Sequence, residues 1–341
     1  MPSIAVVEVP SPDVNASVDR FVSLGWRVVD VFPADEPRRV TLDGHGVRLL
    51  VTRSDGPGPH VLLDGETVAG TRSDPDLTRD GPPLATPALV STFSSTSGLE
   101  DWHVGRAGME YRDIVPDRQG GAVIASHIRI REAGPVADYP HFHEVHFQLI
   151  FCQRGWVRLA YEGQGEPFVL RAGECVTQPP RIRHRVLECS ADLEVVEIGY
   201  PAEHVTCADH DFDFRTSPID PNRTWDGQRF VRHTNENAIW TGIESGVEET
   251  DTGVDLATQS RADVRVLRMT ADSTWTVTTV PTGEFLLVFV LSGELELTTP
   301  ATPQPHRLHG RGSAVIPVGF DARLHAIEAT EVLLVRVRTG R

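Results

Sequence analysis

Lysine is absent from the chain, and all 32 basic residues are arginine. Because arginine stays protonated, it cannot easily replace lysine as a Schiff-base amine, a P-loop phosphate ligand or a general base. The sequence therefore excludes these mechanisms. Basic residues are also outnumbered by 48 acidic ones, which gives a formal net charge of −16. A chain this acidic repels phosphate backbones, so we expect no nucleic-acid partner.

Long apolar runs and closely spaced cysteine pairs are also missing. No uninterrupted apolar stretch reaches about 18 residues, which argues against a membrane span. The first ten residues contain neither a basic region nor a long apolar run, so we expect no signal peptide. The cysteines form no CxxC pair and are expected to be reduced thiols of a cytoplasmic protein. They are Cys152, Cys175, Cys189 and Cys207.

The chain is long enough for more than one domain, since single cores usually stop growing at about 250–300 residues. Residues 1–53 alternate strand and helix signals. An Asp/Asn start, apolar spacing of three to four residues and a Gly stop predict a short helix at 13–25. β-Branched runs predict strands before and after it, the last one broken by a Gly-His-Gly turn at 44–46. The predicted order is βαβββ.

This order resembles one module of the glyoxalase/vicinal-oxygen-chelate superfamily. That family builds its metal site from paired modules with His and Glu ligands. Only Glu8 lies near a family-like ligand position here, and no partner acid appears on the closing strand at 47–52. We therefore expect residues 1–53 to be a scaffold or dimerisation element rather than a second metal site.

The composition of the remaining chain divides it into two regions. Residues 54–100 are rich in Gly, Pro, Ser, Thr and Asp, which predicts a linker or a long irregular covering segment. Residues 101–341 consist of short β-rich runs separated by turns, a pattern typical of barrels or sandwiches.

An internal repeat organises this β-rich region. A shift of 138 residues brings five landmarks into coincidence. The constant offset predicts two copies of one β domain, at 101–204 and 236–341, joined by a connector at 205–235. The coinciding pairs are Trp102 with Trp240, Gly108 with Gly246, Asp113 with Asp251, Gly155 with Gly293, and Pro179 with Pro317.

Three histidines of the first copy form a candidate metal site. His141 and His143 are two residues apart on a predicted strand, so both side chains point to the same side. His184, from another strand, would complete a set of three imidazoles. Such a set suits Fe(II), Zn, Ni, Cu or Mn and leaves positions open for substrate or O2. The alternative is three structural histidines inside a barrel.

These residues resemble the first motif of the cupin superfamily, G(x)5HxH(x)3–4E(x)6G. His141, His143 and Gly155 match it, and Gln148 stands in place of the glutamate. The resemblance implies that Gln148 either ligates weakly through its amide oxygen or hydrogen-bonds to a bound water or substrate.

The second cupin motif, G(x)5PxG(x)2H(x)3N, follows in the right order. Gly173, Pro179 and His184 match it with the correct gaps, whereas Arg181 replaces the second glycine and Glu188 replaces the asparagine. The resemblance implies a mainly β fold. It has two tandem cupin barrels (double-stranded β-helix, or jelly-roll, barrels), preceded by the small βαβββ module.

The second copy has lost every ligand of the first. Adding 138 maps the three histidines and Gln148 to Thr279, Pro281, Ala322 and Leu286. We therefore expect one divalent metal, in the first barrel only, with Fe(II) favoured and Zn, Ni or Mn as alternatives.

Two arginines are candidates for binding a substrate anion near the metal. Arg129 and Arg131 lie on one face of a predicted strand, and either could clamp a carboxylate in a bidentate manner. The alternative is a charged stripe on the outer face of the barrel.

The resemblance to three-His bicupins such as gentisate and 1-hydroxy-2-naphthoate dioxygenases implies an Fe(II) dioxygenase. Its substrate would be a small chelating organic acid, phenol or β-diketone. Two alternatives remain: a non-redox Zn, Ni or Mn lyase, isomerase or hydrolase, and a non-catalytic small-molecule-binding bicupin. The expected partners are a small substrate, possibly an anion, and a second copy of the chain in a homodimer, with no nucleic acid and no membrane.

Overall fold

The computed structural model describes residues 6–62, 71–72, 84–98, 102–105, 109–279 and 283–339. The fold is mainly β, with two barrels that follow a small αβ module. In the described ranges, no helix is long and apolar enough to cross a membrane.

The N-terminal module has the predicted βαβββ order. Its sheet order is β2-β3-β4-β1, with β1 and β4 parallel. Asp13 caps the helix, because its side chain accepts a hydrogen bond from the Ala16 amide at 2.9 Å. The predicted turn at 44–46 separates the last two strands. The elements are β1 (Val6–Ser11), α1 (Val14–Ser23), β2 (Arg27–Phe32), β3 (Arg39–Gly44) and β4 (Val47–Arg53).

The covering segment after this module contains three short strands, of which the first pairs with β1. Parts of the segment lie outside the described residues. The strands are β5 (His60–Leu62), β6 (Thr71–Arg72) and β7 (Ser94–Thr96).

The first barrel is built from two facing sheets. One has the order β15-β14-β17-β12-β19 and continues through β2 into the N-terminal module, and the other has the order β16-β13-β18-β10-β9-β8. Its elements are β8 (His103–Val104), β9 (Glu110–Asp113), α2 (Arg118–Gly121), β10 (Ile124–Ile130), β11 (Gly134–Pro135), β12 (His141–His143), β13 (Phe147–Arg154), β14 (Trp156–Tyr161), β15 (Phe168–Arg171), β16 (Cys175–Thr177), β17 (His184–Cys189), β18 (Leu193–Tyr200) and β19 (Thr206–Ala208).

The predicted connector at 205–235 is not a free linker. Its strand β19 pairs with both β12 and β2, and a later strand pairs with β16 of the same barrel. After β19, the connector contains a single 3-10 turn at 214–216 and the strands β20 (Thr224–Trp225), β21 (Gln228–Arg229) and β22 (Arg232–His233).

The second barrel repeats the architecture of the first. Its two sheets have the orders β23-β24-β25-β32-β27-β30 and β26-β31-β28-β29, and β7 of the covering segment extends the first of them. The elements are β23 (Trp240–Glu244), β24 (Val247–Asp251), α3 (Val254–Ala257), β25 (Ala262–Met269), β26 (Thr274–Thr278), β27 (Glu284–Ser292), β28 (Glu294–Thr298), β29 (His306–His309), β30 (Ser313–Ile316), β31 (Asp321–Ala326) and β32 (Thr330–Arg338).

The two barrels pack against each other through an apolar core between their sheets. Phe147, Leu149 and Phe151 of β13 contact this core from one side, with Phe285 and Phe289 of β27 on the other, and all five are buried. Because strand side chains alternate, Gln148, Ile150 and Cys152 of β13 face the interior of the first barrel. One strand therefore serves both the interface and the candidate site.

Candidate metal centre

The three predicted histidines come together inside the first barrel. His141 on β12 lies directly opposite His184 on the antiparallel strand β17, and their ring centroids are 4.3 Å apart. His143 shares the inward face of β12, with its ring 5.1 Å from that of His184. One ligand nitrogen from each of the three buried side chains lies within 4.8 Å of the other two. The three nitrogens therefore converge on one region, where a single ion could bind all of them.

Hydrogen bonds orient each ring for metal binding. The Nδ1 atoms of His141 and His184 lie 2.8 Å and 3.0 Å from the carbonyl oxygens of Tyr139 and Ile182. Because a carbonyl oxygen only accepts, Nδ1 carries the proton in both rings, and the lone pair resides on Nε2. The Nδ1 atom of His143 pairs with the Thr206 hydroxyl at 2.8 Å. Such partners are typical of metal-ligating histidines.

One departure from the cupin motif lies in the turn before His184. Arg181 stands where the motif has glycine, and its φ of 64° lies in the left-handed region that favours glycine. The turn is held by the Arg181 amide, which donates to the His143 carbonyl at 3.0 Å, and by the guanidinium, which pairs with Glu144 at 2.8 Å. The motif geometry therefore persists without its glycine.

Gln148 faces the interior of the first barrel but pairs with an acid. Its side-chain nitrogen donates a short hydrogen bond to Glu197 of β18, and its oxygen is buried with no hydrogen-bond partner among the described residues. Gln148 does not line the cavity beside the histidines, whereas Glu197 does. A weak ligand role for Gln148 stays a prediction, whereas its partner Glu197 reaches the cavity.

The cavity beside the three imidazoles is small and mostly apolar, with a volume of about 120 Å³. An apolar cavity of about 150 Å³ is known to accept benzene, so this one suits a small organic molecule. Its polar groups gather at the histidine end, and they include Glu197, His204, Gln178 and Tyr161. The apolar wall comprises Met109, Tyr111, Ile124, Ile128, Ile130, Ile150, Val157, Leu159, Val186, Leu193 and Val195.

The polar residues of the cavity that were not identified from the sequence include Glu197, His204 and Asp35. Glu197 has the same strand parity as Leu193 and Val195, so pairing of β18 with β10 would have placed it inward. His204 follows β18 in an irregular segment and matches no motif position. Asp35 belongs to the N-terminal module, and no pattern in the sequence connects that module to the metal site.

The N-terminal module closes part of the cavity. Ala34 and Asp35, in the loop between β2 and β3, line it. Asp35 pairs with Arg118 of the first barrel at 2.6 Å, and a second ion pair joins Arg38 to Glu203 at 2.6 Å. The module is therefore a scaffold that also supplies side chains to the site.

Burial shifts the pKa values of several side chains inside the first barrel. It raises the pKa of the Tyr161 hydroxyl, although a hydrogen bond from Gln178 at 2.8 Å opposes the rise. Burial lowers the pKa of His204, which favours the neutral imidazole. Cys152 also faces the barrel interior, and burial raises the pKa of its thiol to about 12. This thiol is therefore protonated and a poor nucleophile at neutral pH.

The structure does not place Arg129 and Arg131 among the residues that line the cavity. Alternation along β10 turns Ile128 and Ile130 inward and the two arginines outward. Both arginines pair with Glu110, at 2.5 Å and 3.0 Å. The guanidinium of Arg129 also lies 3.9 Å from the centre of the Trp102 ring. The outer-face alternative therefore describes them, and they belong to a charged cluster between the barrels.

The interior of the second barrel is filled by apolar side chains where the first barrel has ligands. Ala322, the counterpart of His184, pairs with Val277, and Leu286 stands at the position of Gln148. The offset of 138 therefore slips by two residues at β26, because Thr279 was the expected counterpart of His141. Pro281 lies outside the described residues. Val277, Leu286 and Ala322 are all buried and apolar.

Comparison with known proteins supports the fold. Neither a protein-family model nor a curated protein matches the sequence. Many solved structures match the three-dimensional fold, and they are bicupin jelly-roll proteins. The chain has a bicupin fold.

Three of these bicupins indicate the extent of the likeness. Pumpkin seed globulin is 12% identical, with a TM-score of 0.54 over 74% of this chain and 87% of that chain. Protein Ylba from E. coli is 10% identical, with a TM-score of 0.54 over 78% and 96%. Oxalate decarboxylase from Bacillus subtilis, studied for its Mn(II) centres, is 10% identical, with a TM-score of 0.51 over 75% and 80%. At these identities the likeness establishes the bicupin fold alone.

Proposed function

We propose that the protein is a metal-dependent dioxygenase, with Fe(II) as its metal, that acts on a small chelating organic molecule. The observation that carries this proposal is the convergence of three oriented imidazoles at one end of a mostly apolar cavity. The bicupin fold supports chemistry in the first barrel, and so does a second barrel whose described residues contain no comparable group of ligands.

The donor set fits a divalent metal. His141, His143 and His184 would hold it through three neutral nitrogens on one side, so further positions stay open toward the cavity. Bound Fe(II) would supply the capacity to bring substrate and O2 together for oxidation. Three imidazoles accept Zn, Ni and Mn as well, and iron is therefore the finer part of the proposal.

The chain's own residues give the cavity three properties. Its apolar wall excludes water from the histidine end and contacts the hydrocarbon part of a substrate. Tyr139, Ile182 and Thr206 keep the histidine rings in place. Glu197, held by Gln148, presents a carboxyl group that can accept a hydrogen bond or a proton from a substrate hydroxyl.

The charges of the cavity favour one part of the predicted substrate range. No arginine is among its described lining residues, whereas Glu197 and Asp35 are. A substrate carboxylate would meet acids here and no cationic side chain, so its only cationic partner would be the metal. A phenol or a β-diketone, which arrives neutral and chelates through two oxygens, fits this lining better than a carboxylic acid.

Metal analysis of protein purified without oxygen tests the proposal. We expect about one iron per chain in the wild type and little or none in His143→Ala. The matched control is His309→Ala, an exposed histidine of the second barrel, which should keep the wild-type iron content. Oxygen uptake should then follow addition of a catechol or of acetylacetone, and only with metal-loaded wild type or control.

Other results of the metal analysis would favour a different function or contradict the site. Stoichiometric Zn with turnover in the absence of O2 would replace the dioxygenase with a lyase, isomerase or hydrolase. A first barrel that takes up none of Fe, Zn, Ni and Mn would leave a non-catalytic binding protein. Equal metal content in His143→Ala and wild type would contradict the site itself. The homodimer remains a prediction, which light scattering of the purified protein can check.

A further inference from the structure

A fourth imidazole lines the cavity beside the three candidate ligands. His204 lies in the segment between β18 and β19, and its ring centroid is 5.3 Å from that of His143. Its side chain is buried, with only 5% of the residue exposed. The group of mutually close ligand atoms comprises the other three histidines without His204. A metal at those three nitrogens therefore leaves His204 beside the site, facing whatever fills the cavity.

The tautomer of the neutral His204 ring follows from one hydrogen bond. Its Nδ1 lies 3.1 Å from the carbonyl oxygen of Pro201, which can only accept. Nδ1 therefore carries the proton in the neutral ring, and Nε2 holds a lone pair. This Nε2 is buried and has no hydrogen-bond partner among the described residues. A buried acceptor without a partner destabilises the folded protein unless a ligand or a water supplies the missing donor.

We propose that His204 is a specificity-determining residue whose Nε2 accepts a hydrogen bond from a hydroxyl group of the cavity's ligand. The proposal assumes that this cavity is the substrate site of the proposed function, but it requires neither iron nor oxygen. It narrows the ligand to a molecule with an apolar body and an O–H donor, such as a phenol or an enol.

The other polar groups of the cavity agree with a donor ligand. Glu197 and Asp35 contribute carboxylate oxygens, which accept when ionised. The Tyr161 oxygen accepts a hydrogen bond from Gln178, so its O–H group remains a donor. The acceptors of the described lining therefore include two carboxyl groups and Nε2 of His204. A ligand without a donor would leave Nε2 of His204 unsatisfied, and a site of this kind discriminates against it.

A pair of fluorinated probes of similar size tests the inference on the metal-free protein. 4-Fluorophenol carries the hydroxyl, and 4-fluorotoluene carries a methyl group in its place. A purely apolar cavity would prefer the toluene, because desolvation of the hydroxyl costs free energy. By fluorine NMR titration, we expect the wild type to bind 4-fluorophenol about tenfold more tightly than 4-fluorotoluene. In His204→Phe the preference should invert.

Two further variants separate a hydrogen bond from a packing effect. His204→Gln retains an acceptor and should keep part of the preference for the phenol. His146→Phe is the matched control, because Nε2 of His146 is also buried without a partner but His146 does not line the cavity. This control should bind both probes as the wild type does. Zinc uptake by His204→Phe should equal that of the wild type, since His204 is not a ligand.

The inference fails in either of two ways. A wild type that prefers 4-fluorotoluene would overturn it without any variant, even if the His204 substitutions unfold the protein. A preference for the phenol that survives in His204→Phe would assign the acceptor to another group, with Glu197→Gln as the next test. Neither result depends on iron content or oxygen uptake, so each is distinguishable from failure of the dioxygenase proposal.

Discussion

His143 and Thr206 face each other on paired strands of the first barrel, and the Thr206 hydroxyl lies 2.8 Å from Nδ1 of the imidazole. The two residues come from different predicted segments, His143 from the cupin motif and Thr206 from the connector. The candidate metal centre therefore depends on a strand, β19, that also joins the barrel to the N-terminal module.

Removal of this hydroxyl should weaken metal binding. Thr206→Val keeps the side-chain volume but takes away the partner that orients His143, and such losses typically cost about 10–100-fold in metal affinity. Competition with a chelator would measure the change. Thr250→Val is the control, because the Thr250 hydroxyl is buried without a hydrogen-bond partner. Equal weakening by both substitutions would contradict the orienting role of Thr206.

Substitution of the two outward arginines should spare the metal centre. In Arg129→Gln and Arg131→Gln we expect unchanged zinc stoichiometry and unchanged probe preference, because both side chains lie outside the cavity. Arg129→Gln should still destabilise the fold by about 1 kcal/mol, since Arg129 stacks on Trp102. Metal analysis and urea denaturation check the two effects. Loss of zinc from either variant would instead support a position of these arginines beside the metal.

Loss of one charge in the N-terminal loop should loosen its attachment to the barrel. Asp35→Asn leaves Arg118 without its closest carboxylate, in a pair whose side chains are 11% and 22% exposed. We expect a loss of about 1–3 kcal/mol in the free energy of unfolding. Glu36→Gln removes a pair from the same loop that is mostly exposed and should cost at most about 1 kcal/mol. Urea denaturation that gives equal losses would contradict a specific role for Asp35.

The junction of the two barrels should make stability depend on acid pH. Burial acts to raise the pKa of Glu194, but contacts with His127 and Arg311 outweigh it and hold this pKa at about 2. The folded pKa lies below the ordinary value of a glutamate. Its stabilisation is therefore present above about pH 4.5 and is lost as the pH falls toward 2. The loss should be about 3 kcal/mol.

Burial of His127 adds an effect of the same sign at higher pH. It lowers the pKa of His127, so the unfolded chain takes up a proton first and stability declines as the pH falls below about 6.5. Urea denaturation at pH 8, 5 and 3 measures both phases. The phase below pH 4.5 should flatten in Glu194→Gln and persist in Glu166→Gln, an exposed position. An unchanged acid phase in Glu194→Gln would assign it to other carboxyl groups.

Local patterns explain how much of the site was predictable. A pair of histidines two residues apart must share one face of a strand, and the spacing to His184 matched a second motif. Glu197 was equally constrained by alternation, but its inward direction requires knowledge of which strand pairs with β18. The misplacement of Arg129 and Arg131 has the same origin, since alternation groups residues on one face without saying which face is inside.

The sequence by itself determined the two β domains, the loss of ligands from the second copy and the identity of the three histidines. These features depend on residue type and spacing along one strand or one turn. Only the tertiary structure brought Glu197, His204, Thr206 and Asp35 to the same cavity. Contacts between segments far apart in the chain arise from strand pairing and barrel closure, which no local spacing encodes. The mostly apolar lining, which contains no arginine among its described residues, belongs to this second class.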